Sequence, residues 1–234
     1  MKGMATYDLM ETVRNTNEWL GASARAFASY PVWGLVPHPM FKVMSAWGRI
    51  TERSFARMVI KPDWGIRTIV GSDDRDHLVE VETVISRPFG DLIHFRVLGR
   101  EPMPRRVLLV APMSGHYATL LRGTVEAFLP DHEVYITDWT DARNVPVAVG
   151  RFDFDDYIDY VIEFTKFIGP NTHLIAVCQP SVPCLAATAV MAARNDEHQP
   201  ASLTLMGGPI DTRRNPTTVS YTHLTLPTNS PVSI

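Results

Sequence analysis

Apolar and polar positions along this chain change period along its length. Up to about Val59 the spacing is helical. Met44, Trp47, Phe55, Met58 and Val59 recur at steps of three and four or their sums, which puts them on one helix face. A Pro-rich link at residues 31–39 separates this helix from an earlier one around Tyr7 to Tyr30. These aromatics read as core packing, and the other reading is a surface for granules or lipid. Extended segments follow. Residues 77–85 alternate in part and residues 92–98 alternate better, with Pro88-Phe89-Gly90-Asp91 as a turn, which predicts an antiparallel pair. Residues 106–111 are a near-continuous apolar run, as expected of a strand buried on both faces, and end in Pro112-Met113-Ser114-Gly115-His116.

Helix and strand signals then alternate. A helix is expected over residues 120–129 and a strand over 133–139. The next helix covers 152–168, with Tyr157, Val161, Phe164 and Phe167 on one face, and Gly169-Pro170-Asn171 stops it. A strand at 173–177, a helix at 183–194 and a strand at 202–206 ending in Gly207-Gly208-Pro209 complete the series. This alternation predicts an α/β domain with a mostly parallel sheet and helices on both faces. Residues 219–234 are rich in Thr, Ser and Pro and continue neither period. They read as non-native, like translated adapter sequence, and stand outside the fold reading. Three regions are therefore expected: helical at 1–65, α/β at 66–218, and a tail at 219–234.

Composition narrows the class. The chain has 234 residues, 45% hydrophobic and 20% charged, which fits a globular protein. Lys and Arg number 22 against 25 Asp and Glu, a net charge of -3, so there is no electrostatic case for nucleic acid or an anionic membrane. Two cysteines make no disulfide framework and favour a reducing compartment. The N-terminus has no apolar signal core, and no apolar run reaches transmembrane length, so a cytoplasmic protein without membrane insertion is expected. No His/Cys pairs fall at metal-ligand spacing and no Gly-rich phosphate loop is present, so no metal and no cofactor are expected.

The chemistry centres on one turn. The apolar run His173-Leu174-Ile175-Ala176-Val177 ends at Cys178-Gln179-Pro180, before an Ala-rich helix. That is the layout of a nucleophile elbow, here with a thiol in place of the usual serine. The helix that follows points its positive end at the sulfur. The plain alternative for Cys178 is a small buried hydrophobe, and that is the reading preferred for Cys184 inside the helix. An oxyanion hole would combine the backbone N–H of Gln179 with one from the loop Ser114-Gly115-His116. Ser114 is a weak rival nucleophile, and His116 reads as a loop determinant rather than the base.

Acid and base are harder to place. The expected chain order is nucleophile, acid, histidine. After Cys178 only His198, in a polar loop, and His223, in the tail, remain. Asp211 follows a strand end and is a candidate acid, with a turn or cap as its ordinary reading. The simplest expectation is a truncated chain.

The residues quoted above resemble the intracellular polyhydroxyalkanoate (poly(3-hydroxybutyrate)) depolymerase family. The resemblance runs to about Thr218. It rests on Lys61-Pro62-Asp63-Trp64-Gly65-Ile66, the stretch from Ala111 to Arg122, Asp138-Trp139-Thr140-Asp141-Ala142-Arg143, Asp153-Phe154-Asp155-Asp156-Tyr157-Ile158, Val177-Cys178-Gln179-Pro180 and Met206-Gly207-Gly208-Pro209-Ile210-Asp211-Thr212-Arg213. It implies an α/β-hydrolase fold, C-terminally truncated here, with a helical N-terminal extension. It also implies a Cys-Asp-His triad and hydrolysis of ester bonds in intracellular polymer granules. Cys178 matches the family nucleophile, while the family's Asp and His come from a C-terminal region not matched here. The polymer granule is the implied partner and substrate. Two alternatives stay open: a polymer synthase-like acyltransferase on the same fold, and a non-catalytic granule-binding protein.

Overall fold

The computed structural model describes residues 2–35, 39–56, 61–113, 117–211 and 213. The chain forms two compact units, Met1–Pro62 and Asp63–Ile234. In the first, helix α1 (Lys2–Ala28) packs along helix α2 (Pro39–Ala56). Their closest approach is between backbones. A Cβ on Gly21 would lie 2.9 Å from the Gly48 carbonyl oxygen, and one on Gly48 would lie 2.7 Å from that of Gly21. Only glycine permits such contact. Beside it, Arg25 donates to both carboxylate oxygens of Glu52 at 2.6 and 3.0 Å.

The expected single apolar face of α2 is only partly formed. Met44 and Phe55 are half-buried, but Trp47 is 54% exposed and does not pack as core. The glycine contact explains this, because it brings the helices together on backbone and not on Trp47. Met58 and Val59 lie outside the described residues. Among the described residues, Trp33 stacks on Phe41 at 4.6 Å and tilts against Phe27 at 5.2 Å.

The second unit is a seven-stranded sheet. Its strands are β1 (Thr68–Val70), β2 (Asp76–Arg87), β3 (Gly90–Val97), β4 (Arg106–Val110), β5 (Glu133–Trp139), β6 (Thr172–Val177) and β7 (Ser202–Met206). They lie in the order β1-β2-β3-β5-β4-β6-β7. The pairings from β1 through β2 and β3 to β5 are antiparallel. Those from β5 through β4 and β6 to β7 are parallel. The hairpin of β2 and β3 is the antiparallel pair expected. Short β1 was not expected, since three residues carry no readable period.

Side-chain alternation divides the core in two. Val107 and Leu109 of β4 join Phe95, Val134, Ile136 and the helix α3 (Arg122–Phe128) on one face. Leu108 and Val110 join Leu92, Leu174 and the helices α4 (Phe154–Ile168) and α5 (Ser181–Ala193) on the other. That is why β4 reads as an unbroken apolar run. Helix α4 begins two residues later than expected because Asp153 caps it. The Asp153 carboxylate accepts from the N–H groups of Asp155 and Asp156 at 3.1 and 3.2 Å, and Asp156 accepts from the Asp153 N–H at 2.7 Å. The buried face of α4 is Tyr157, Val161, Phe164 and Ile168, while Phe167 is 52% exposed and turns away. Ile168 continues the four-three-four spacing that the sheet surface selects.

At the amino end of β5, Glu133 is buried. Burial alone would push its carboxyl up. The His94 imidazole at 2.9 Å, the Met103 N–H at 2.9 Å and Arg100 outweigh that and hold it below its ordinary value. A carboxylate lowered in the folded state adds stability above its unfolded value and loses it as pH falls through the folded one. Urea midpoints measured from about pH 6 to about pH 3 should therefore fall more steeply in the native protein than in Glu133→Gln once the pH drops below about 4.5. Parallel curves would show that this carboxylate carries no net advantage.

Candidate active site

Strand β6 delivers Cys178 to the carboxyl edge of the parallel strands, and α5 leads away from it. Cys178 has φ +66°, the left-handed region that non-glycine residues rarely enter. Such a conformation costs about 1–2 kcal/mol and persists only where the surroundings enforce it. Here the Cys178 N–H donates to the Met206 carbonyl at 2.8 Å, and its own carbonyl accepts from the Ser181 N–H at 3.1 Å. Gly208 closes the turn from the other side. A Cβ there would overlap the Cβ and Oγ of Ser181 and come within 2.8 Å of the Cys178 carbonyl. The Cys178 side chain is exposed, while Cys184, one and a half turns further on, is fully buried. Burial pushes the Cys184 thiol up to about 12.

Gln179 does more than lend its backbone. Its side-chain Oε1 accepts the Met113 N–H at 3.1 Å and ties the elbow to the loop leaving β4. Two buried side chains of β5 set where that loop starts. Thr137 Oγ1 accepts the Ala111 N–H at 3.0 Å, and Trp139 Nε1 donates to the Ala111 carbonyl at 2.8 Å. Sequence reading missed these roles. The threonine and tryptophan at the end of β5, and the second glycine of Gly207-Gly208-Pro209, were the available signals. Ser114, Gly115 and His116 lie outside the described residues. The Met113 N–H next to them is already occupied by Gln179.

Asp211 lies beyond the carboxyl end of β7, as its sequence position implies. Its Oδ1 accepts the backbone N–H and Nε of Arg213 at 3.1 and 2.9 Å, and Oδ2 accepts Nη2 at 3.0 Å. The Arg213 guanidinium holds the Asp211 carboxyl below its ordinary value. Asp138 is buried at the carboxyl end of β5. The described histidines lie elsewhere. His77, His94, His132, His173 and His198 fall in the amino-terminal halves of the parallel strands, on strands beside them, or in loops that lead into them. His198 precedes β7, whose Ser202 pairs with His173 at the start of β6, so roughly 16 Å of strand separates it from the elbow. His223 lies outside the described residues. Among the described residues no cluster of His, Cys, Asp or Glu could hold a metal ion, and no helix is long and apolar enough to cross a membrane.

An antiparallel pair opening the sheet, a β5-β4-β6-β7 parallel block and a strained strand-to-helix turn after β6 define an α/β-hydrolase fold. No family model matches the chain, and no curated protein does. Solved structures do match. Naproxen esterase from Bacillus subtilis is 16% identical over 53% of this chain and 42% of its own, with a TM-score of 0.38. A fungal esterase from Rhizomucor miehei is 12% identical over 70% and 52%, with a TM-score of 0.44. The hyperthermophilic esterase from the archaeon Pyrobaculum calidifontis is 13% identical over 81% and 58%, with a TM-score of 0.39. The chain spans about half the length of these structures.

Iodoacetamide at about pH 8 should label Cys178 and spare Cys184 until the protein unfolds, as read by peptide mass spectrometry. Equal labelling of both would contradict the burial of Cys184. Gly208→Ala should lower stability by about 1–3 kcal/mol, since neither Ser181 nor the Cys178 peptide can retreat without disturbing the turn. A chemical-denaturation curve unchanged by this substitution would show that the turn tolerates the added methyl.

Proposed function

We propose that this chain belongs to a carboxylic ester hydrolase that depolymerises intracellular polyhydroxyalkanoate through a thioester on Cys178. The observation that carries the reading is the exposed thiol held at positive φ between β6 and α5. In the reaction proposed, Cys178 Sγ attacks the ester carbonyl carbon and the C–O bond to the leaving alcohol breaks. The alcohol departs with the thiol proton and the acyl group stays as a thioester. Water then adds to the thioester carbon, the C–S bond breaks, and the hydroxyacid leaves as the thiol reforms. The Gln179 N–H, next after the nucleophile, is placed to bind the oxyanion of both tetrahedral species. A second donor is assigned to the loop Ser114-Gly115-His116, which follows Met113, whose N–H donates to Gln179 Oε1.

A histidine takes the thiol proton and later activates water. The family resemblance assigns it, with its acid, to sequence beyond the matched part. Asp211 is the acid candidate within this chain, and Arg213 must then yield part of its hold. The substrate is amorphous granule polymer, met in the cytoplasm at the granule surface.

Hydroxyacid release from amorphous poly(3-hydroxybutyrate) granules by the whole protein is the direct test. Release should fall by about three orders of magnitude or more in Cys178→Ala. An activated short ester should leave an acyl adduct on the peptide that contains Cys178. Turnover unchanged in Cys178→Ala would overturn the reading. Transfer of the acyl group to a hydroxyacyl chain in place of water would make the protein an acyltransferase. Granule co-sedimentation that survives Cys178→Ala, with no ester turnover, would make it a binding protein.

A further inference from the structure

The amino-terminal end of the sheet, opposite the elbow, holds a cavity of about 410 Å³ on the α4 side. That is within the size range of small-molecule sites. Its polar wall comes from residues on one face of adjoining strands: His94 and Arg96 of β3, Tyr135 of β5 and Arg106 of β4. His94 stacks on Tyr135 with ring centroids 4.4 Å apart and 13° between planes. Val97, Leu98, Pro102 and Ile168 supply apolar wall.

Most charge in this cavity is already matched. Arg96 pairs with Glu80 and Glu82. His94 holds Glu133 at 2.9 Å. Arg100 donates to the carbonyls of Leu129, Pro130 and His132 at 2.7 to 3.2 Å and stands 4.0 Å from Glu133. Arg106 differs. Its Nη1 donates to the Ile168 carbonyl at 2.8 Å, where α4 ends. Among the described residues its Nε and Nη2 make no hydrogen bond, and no carboxylate pairs with it. The Tyr135 hydroxyl likewise makes none among these residues.

Nε and Nη2 form one edge of the guanidinium, and that edge matches the two oxygens of a carboxylate or phosphate. Nη1 is anchored, so the free edge is held in place rather than swinging in solvent. Tyr135 lies on the same face two residues further along in register, since Leu108 of β4 pairs with Tyr135. We propose that this cavity binds a small organic molecule through a terminal oxyanion, a carboxylate or a phosphate. Arg106 grips it side-on, Tyr135 donates a third hydrogen bond, and the apolar wall receives its carbon portion. The site does not depend on Cys178 and lies at the other end of the strands.

Isothermal titration of the 234-residue protein with inorganic phosphate, acetate and benzoate tests this. Phosphate against acetate identifies the head group, and benzoate against acetate reads the apolar wall. Saturable one-to-one binding of at least one probe is expected, weakened about tenfold or more in both Arg106→Gln and Tyr135→Phe. Arg106→Gln uncaps α4 and could fail to fold. Tyr135→Phe keeps the ring stacked on His94 and removes only the hydroxyl, so it decides the matter alone. Absence of saturable binding by any probe, or equal binding in Tyr135→Phe, would overturn the proposal.

Discussion

The site depends on one enforced conformation, the left-handed Cys178. A cysteine does not choose φ +66° by itself. The turn holds because β7 and the segment just after it reach it twice: once through the Met206 carbonyl that accepts the Cys178 N–H, and once through Gly208, whose missing side chain lets the chain press against Ser181. The parallel pairing of β6 with β7 therefore does more than complete the sheet. It carries the register that brings Met206 beside Val177, one residue short of the elbow. Strand pairing, close glycine packing and the exposed thiol form one continuous structural unit.

The same register sorts the polar groups by strand end. The exposed Cys178 thiol and the Gln179–Met113 hydrogen bond lie where β4 and β6 finish. Arg96, Arg100, Arg106, the buried Glu133 and the described histidines lie near the amino ends of the parallel strands. Parallel strands make this separation automatic, since every strand in the block has its carboxyl end on the same edge. Two chemistries can thus share one sheet without sharing a surface.

Much of this was legible in the chain itself. The apolar run of β4, the hairpin of β2 and β3, and the abrupt Val177-Cys178 boundary each express a period or a break that local chemistry sets. What stayed hidden depends on contacts between distant positions. Gly21 and Gly48 meet only when two helices cross, and nothing in either helix signals it. Trp47 looked like core because spacing alone cannot tell which face a neighbour will cover. Phe167 and Ile168 are both apolar and adjacent, and only the sheet decides between them. Gln179 was legible as the residue after the candidate nucleophile, but its side-chain bond to Met113 joins positions 66 residues apart. Asp211 was readable as a strand-end carboxylate, whereas its engagement with Arg213 is a matter of local turn geometry.

The clamp on Ala111 ties the chain that leaves β4 to a neighbouring strand. The peptide groups of Ala111 are gripped by Thr137 and Trp139, so the loop that leaves β4 takes its bearing from β5. The elbow takes its bearing from β7. The two segments are thus held by strands at opposite sides of β4 and β6, and the Gln179 side chain joins them through Met113. A change in sheet twist across the four parallel strands would therefore act directly on the hydrogen bond between Gln179 and Met113.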